Sequence, residues 1–209
     1  MATLPAPARH LDAAHGDQRV RLHDVGWREY ESLLTIRGEQ SGVRLTYLEG
    51  ELELMRPSIE HEALKTRLAR LLEAYAEERG IELEGYGSWT VKSEDRQRGA
   101  EADECYVLGT PATSPQAPDL AIAVVWTSGG IDKLEVYRGL GVAEVWFWRD
   151  GGLRFFILQG ERHVGATRSG LLPGLDPELL ARFMTGATQT QAARAYRAAL
   201  RDQEQTASS

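Results

Sequence analysis

PDLAIAVVWTSGGIDKLEVY, residues 118–137, is the stretch that decides how this chain folds. An apolar run opens behind Pro118, a Ser-Gly-Gly turn interrupts it, and a helical pattern follows. Taken as a strand, Asp119 to Trp126 separates into two unlike faces, because successive side chains point opposite ways. Leu120, Ile122, Val124 and Trp126 make a bulky face suited to a core. Asp119, Ala121, Ala123 and Val125 make a small face headed by a carboxylate, the shape of a pocket floor.

Downstream, the spacing predicts a helix over Ile131–Leu140. Its apolar arc spans about 140–240° of rotation, and Lys133, at about 200°, falls inside it. A lysine in the apolar stripe of a short helix is uncommon. EVWFWR and LRFFIL follow, joined by Asp150-Gly151-Gly152, so a hairpin is expected, with a third short strand near Arg162–Ala166. Trp146, Trp148, Phe155 and Phe156 in this meander are read first as core and second as a homodimer face. Pro173–Met184 holds a short helix and Gln189–Arg201 a last one, whose Arg194, Arg197 and Arg201 read as a solvated basic side.

Upstream, Glu101–Leu108 (EADECYVL) reads as one strand carrying Asp103, and SWTVK, residues 88–92, as another. Arg44–Tyr47 and Glu51–Met55 alternate around Glu49-Gly50, a hairpin pattern. Ser58 is placed to cap a long helix over Ile59–Arg79, which Gly80 ends. Its stripe is Leu64, Leu68, Leu71, Leu72 and Tyr75, and His61 points inward from its first turn. A shorter helix starts after Gly26. Residues 1–20 show no usable period and are expected to be a poorly ordered leader, with His10 and His15 solvated. One domain is expected over residues 21–201, and a frayed tail over 202–209.

Bulk numbers narrow the function classes. A net charge of -7 argues against a protein that coats nucleic acid, yet leaves room for a nuclease with acidic metal ligands. The single Cys105 excludes an intrachain disulfide and a cysteine-cluster zinc site. No apolar run approaches the roughly 20 residues of a membrane helix, and no secretory signal is visible, so a cytoplasmic protein without membrane attachment is expected.

Asp103, Asp119 and Lys133 are the polar groups hardest to explain by packing. Two aspartates on neighbouring strands suit a hard divalent cation, Mg²⁺ being usual near phosphates, and a nearby lysine suits developing negative charge. His61 approaches from a second side. Plainer readings stand beside these: Asp119 as a turn residue, Lys133 as a snorkelling side chain, His61 as a core histidine, and Asp103 as a partner of Arg96 or Arg98.

YLEGELELMRPSIEHEALKTRLARLL, EADECYV and PDLAIAVVWTSGGIDKLEVYRGLGVAEVWFW, in that order, resemble the Uma-type restriction endonuclease family of the PD-(D/E)xK nuclease superfamily. The resemblance covers about residues 25–185. It implies an α/β, restriction-endonuclease-like fold with a mixed central sheet flanked by helices. It also implies metal-dependent DNA hydrolysis with Mg²⁺ or Mn²⁺ and DNA as partner. On its motifs, Asp103 and Asp119 match metal-binding aspartates, Lys133 the catalytic lysine carried on the helix, and His61 the histidine opening the first core helix. Where the family pattern has Glu four residues after the PD aspartate, this chain has Ala123, a vacated ligand position. The chain is therefore expected to be impaired. The retained Asp103, Asp119 and Lys133 favour a single inactivating exchange over general decay. Two other functions stay open: a non-catalytic nucleic-acid- or partner-binding subunit on a degenerate nuclease fold, and a hydrolase of smaller substrates.

Overall fold

A computed structural model of the chain describes residues 16–38, 42–110, 114–124 and 130–207. Val125, Trp126, His10 and His15 lie outside these. Chain order is β1 (Gln18–Leu22), α1 (Trp27–Arg37), β2 (Arg44–Leu48), β3 (Glu51–Arg56), α2 (Ile59–Arg79), β4 (Leu83–Gly85), β5 (Thr90–Ser93), β6 (Arg98–Glu101), β7 (Glu104–Leu108), β8 (Leu120–Val124), α3 (Lys133–Leu140), β9 (Glu144–Arg149), β10 (Gly152–Gln159), β11 (Arg162–Ala166), α4 (Pro177–Arg182) and α5 (Gln189–Ala207).

The fold is α/β, and its strands divide into two sheets. The first is antiparallel throughout, in the order β1-β3-β2-β6-β5. The second is mixed, in the order β11-β10-β9-β8-β7-β4, with β8 and β9 its parallel pair. The helix α3 makes the connection between those two parallel strands, as such a pair requires.

Glu101–Leu108 does not form one strand. Glu101 ends β6 in the first sheet and Glu104 begins β7 in the second, so Asp103 lies where the chain crosses between them. The alternation of EADECYVL is the same through both strands, which is why the break leaves no mark in the sequence.

The two faces of β8 separate as their sizes require. Leu120, Ile122 and Val124 join Trp146, Trp148, Phe155 and the Leu68–Leu71–Leu72–Tyr75 stripe of α2 in the main core. The aromatic meander is thus largely core. Ala121 joins Cys105, Val136, Tyr137 and Val145 under α3, and Ala123 on the same face is fully buried. In the first sheet, Leu45, Tyr47 and Leu52 pack on Trp27 and Tyr30 of α1. The opposite face of that sheet carries Arg19, Arg44, Thr46 and Glu53, and the last three are buried.

Helix ends follow local chemistry. Ser58 accepts the His61 N–H at 3.1 Å and caps α2, and Gly80 closes it in a left-handed conformation. The α3 helix starts two residues later than expected, at Lys133, because the Asp132 carboxylate accepts the N–H groups of Leu134 and Glu135.

Regular structure reaches into residues 18–20 and 202–207, outside the expected domain bounds. The strand β1 falls partly inside the expected leader, pairing with β3 through side chains that are mostly exposed and so lack an apolar period. The helix α5 continues to Ala207, through residues expected to fray. Its Arg201 stays exposed while bonding Glu78 of α2, the more covered Arg197 bonds Glu77 and Glu78, and Tyr196 and Leu200 enter the core.

Candidate functional site

The small face of β8 looks toward the polar face of the first sheet. The first turns of α2 and α3 close the space between them. Asp103, fully buried, anchors it. Its backbone N–H donates to the Ile122 carbonyl at 3.0 Å, and its Oδ2 accepts the Val124 N–H at 2.5 Å. Its Oδ1 meets the Arg44 guanidinium and lies 3.0 Å from His61 Nε2.

His61 is also fully buried, held by its place in the capped first turn of α2. Its two ring nitrogens each have a carboxylate oxygen at 3.0 Å, Asp103 on one side and Asp17 on the other. Asp17 reaches over from the residue before β1, and its second oxygen accepts the Ser58 N–H at 3.0 Å. Burial alone would raise the Asp17 carboxyl. The bonds from His61 and Ser58, with the charges of His61 and Arg19, overcome that and hold it below its ordinary value.

Lys133 is the first residue of α3 and is half-buried. Burial pulls its ammonium down to about 8, helped by the positive charges of Arg19 and Arg44 and opposed by Glu53 and Asp17. Arg19 stands 3.7 Å from both Asp17 and Glu53. Gly130 lies in this corner, where an added Cβ would come within 2.7 Å of Arg19 Nη1 and Glu53 Oε2. Both atoms are the far ends of flexible side chains, so a larger residue here would push Arg19 and Glu53 aside.

The structure therefore brings Asp103, His61 and Ala123 together, places Lys133 within the fields of Arg19, Glu53, Arg44 and Asp17 at the same corner, and does not bring Asp119 to them. Asp119 precedes the opposite end of β8, about 13 Å from Ala123 at the usual strand rise. Its Oδ2 accepts the Leu108 N–H at 2.8 Å, and its backbone bonds Tyr106 and Glu144 at 3.0 and 2.9 Å. In that position it ties β7, β8 and β9 together.

Asp17, Arg19, Arg44 and Glu53 belong to the site and carry no motif that singles them out. Arg44 and Glu53 sit on the face of their hairpin that alternation marks as outward. Two charges on the polar side of an otherwise apolar hairpin were the available signal, one that any half-exposed hairpin also gives.

A divalent cation needs several oxygen ligands free to turn to it. Asp103 Oδ1 is held in ion pairs with Arg44 and His61 without a formed hydrogen bond, its Oδ2 accepts the Val124 N–H, Asp119 bonds elsewhere, and Ala123 has no ligand atom. Among the described residues, no group of three or more His, Cys, Asp and Glu side chains is arranged to hold a metal ion. The residues present do not fit the Mg²⁺ or Mn²⁺ that the resemblance implies.

The Uma2 family profile, described as "Putative restriction endonuclease", matches residues 27–183. A solved structure from Anabaena variabilis, described as a "putative nuclease belonging to DUF820", aligns with 83% of this chain and 99% of its own, at 11% identity and a TM-score of 0.47. No curated protein matches.

Proposed function

We propose, from the premise that the chain belongs to the Uma2 restriction endonuclease family, that its site is a DNA phosphodiester hydrolase centre impaired at one position. The observation that supports this is the bracketing of Ala123 by Asp103. The two bonds that Asp103 makes to β8 fall on Ile122 and Val124, so the residue between them stands beside the Asp103 carboxylate. A glutamate at 123 would put a second carboxylate against the first, facing Lys133 and His61. In that arrangement Lys133 offers positive charge to a phosphate oxygen. His61, fixed by Asp17, orients the Asp103 carboxylate. Alanine leaves that pair half made.

Plasmid nicking tests the proposal. Ala123→Glu, with Mg²⁺ or Mn²⁺, is expected to nick supercoiled DNA well above the parent chain, and Lys133→Ala in that background to abolish the gain. No gain from the first exchange removes the proposal.

A second reading has an observation of its own. The engagement of Asp103 by Arg44 and His61 suits a chain that retains the fold to bind nucleic acid or a protein without cutting. It predicts salt-sensitive DNA retention and no nicking by Ala123→Glu.

A further inference from the structure

The arrangement implied by the resemblance and the one found differ at the cation. We infer that Arg44 is the resident cation of this centre, holding Asp103 where a divalent ion would otherwise stand, so that the chain is closed to Mg²⁺ and Mn²⁺. The inference rests on the side chains of the site and not on DNA cleavage.

Arg44 starts β2 on the polar face of the first sheet and is 6% exposed. Its Nη1 meets Asp103 Oδ1 and lies 3.2 Å from His61 Nε2, while its Nη2 donates to Glu62 Oε1 at 2.5 Å. Partners from β7's approach and from the first turn of α2 thus fix both ends of the guanidinium fork. A guanidinium does not lose its proton in a protein, so this charge is permanent. A metal ion taking Asp103 would leave it buried and short of its partner, a strongly unfavourable state.

The side chains around it are already matched in charge. Asp17, Glu53, Glu62 and Asp103 face Arg19, Arg44, Lys65 and Lys133, through the contacts already described, the Lys65–Glu62 pair at 3.1 Å and the mutual fields at Lys133. No surplus negative charge remains to attract a divalent ion. Two separate changes would create one: removing the Arg44 charge, or adding a carboxylate at 123. They are read by different experiments.

The test is Mn²⁺ uptake, followed by the electron paramagnetic resonance of free Mn²⁺ and by thermal melts. The parent chain is expected to leave the free-ion signal unchanged and to melt alike in Mn²⁺ and in chelator. Arg44→Gln is expected to melt lower, to take up Mn²⁺ saturably, and to regain part of the lost melting temperature with it. Adding Asp103→Asn to that variant should abolish uptake. Arg44→Lys, which keeps a positive charge, should refuse Mn²⁺ as the parent does.

Saturable uptake by the parent that Asp103→Asn removes overturns the inference. So does a folded Arg44→Gln chain that takes none. Should Arg44→Gln not fold, the parent and Arg44→Lys measurements decide the matter alone. Nicking by Ala123→Glu with no uptake by Arg44→Gln sinks this inference and leaves the proposed function standing; the reverse pair of results does the opposite.

Discussion

Asp103 and Ala123 stand side by side across the junction of two strands, because Asp103 bonds the residues on either side of Ala123. Ala123 is fully buried, so whatever replaces it enters a closed, charge-matched space. Size and charge can be separated there by comparing Ala123→Gln with Ala123→Glu, which are nearly equal in volume. Without metal, at pH 8, the Glu variant is expected to be less stable by about 1–3 kcal/mol, the scale of a buried polar group lacking its partner. Urea denaturation measures the gap. Lowering the pH to 5 should narrow it, since a carboxyl in this setting protonates early.

Removing Asp103 is expected to be more damaging than removing the whole pair. Asp103→Ala leaves the Arg44 guanidinium buried against His61 and should cost about 3–5 kcal/mol. Asp103→Ala with Arg44→Met removes both charges and should recover a large part of that. A double-mutant cycle by chemical denaturation gives the coupling. Equal losses in the single and the double variant would show that the ion pair contributes little.

The part of the site that the sequence displays is the part built on strong periodicity. Two unlike faces of residues 119–126 place Leu120, Ile122 and Val124 in the core and Ala121 and Ala123 under α3. Ser58, Gly80 and the leucine stripe are just as plain for α2. What the sequence does not display depends on contacts between distant segments. Arg44 and Glu53 look exposed by alternation, and are buried because α3 and the first turn of α2 cover that face of the hairpin. Asp119 has the motif and the small-face register, yet the antiparallel pairing of β7 with β8 sets Asp103 beside Ala123, at the other end of the strand from Asp119. Tertiary packing overrides local pattern in each case.

Lys133 gives a pH dependence with a definite sign. Its pKa in the folded chain is about 8, below the ordinary lysine value of 10.5. Between those two values the unfolded chain binds more protons than the folded one, so this group makes stability rise with pH. Below about 8 the protonated ammonium opposes folding. Lys133→Met should therefore stabilise the chain at pH 7, and its advantage should shrink as pH rises toward 10.5. Paired melts of parent and variant at pH 7 and pH 9.5 check this; an advantage that grows with pH would contradict it.

Asp17 fastens the edge strand β1 to α2, since one carboxylate oxygen takes the Ser58 N–H and the other faces His61 Nδ1. Asp17→Ala removes both and is expected to cost about 1–3 kcal/mol. The loss should be local at first. Amide exchange in Gln18–Leu22 and in the first turn of α2 should quicken, while Trp146 and its neighbours in the main core stay protected. The pH dependence runs opposite to that of Lys133. The folded pKa of Asp17 lies below its ordinary 3.8, so its contribution is fully present above that value and disappears as pH falls through the folded pKa. Parent and Asp17→Ala chains should thus differ most above about pH 5 and converge in stronger acid. A difference that persists unchanged to pH 2 would place the effect in packing and not in the carboxylate.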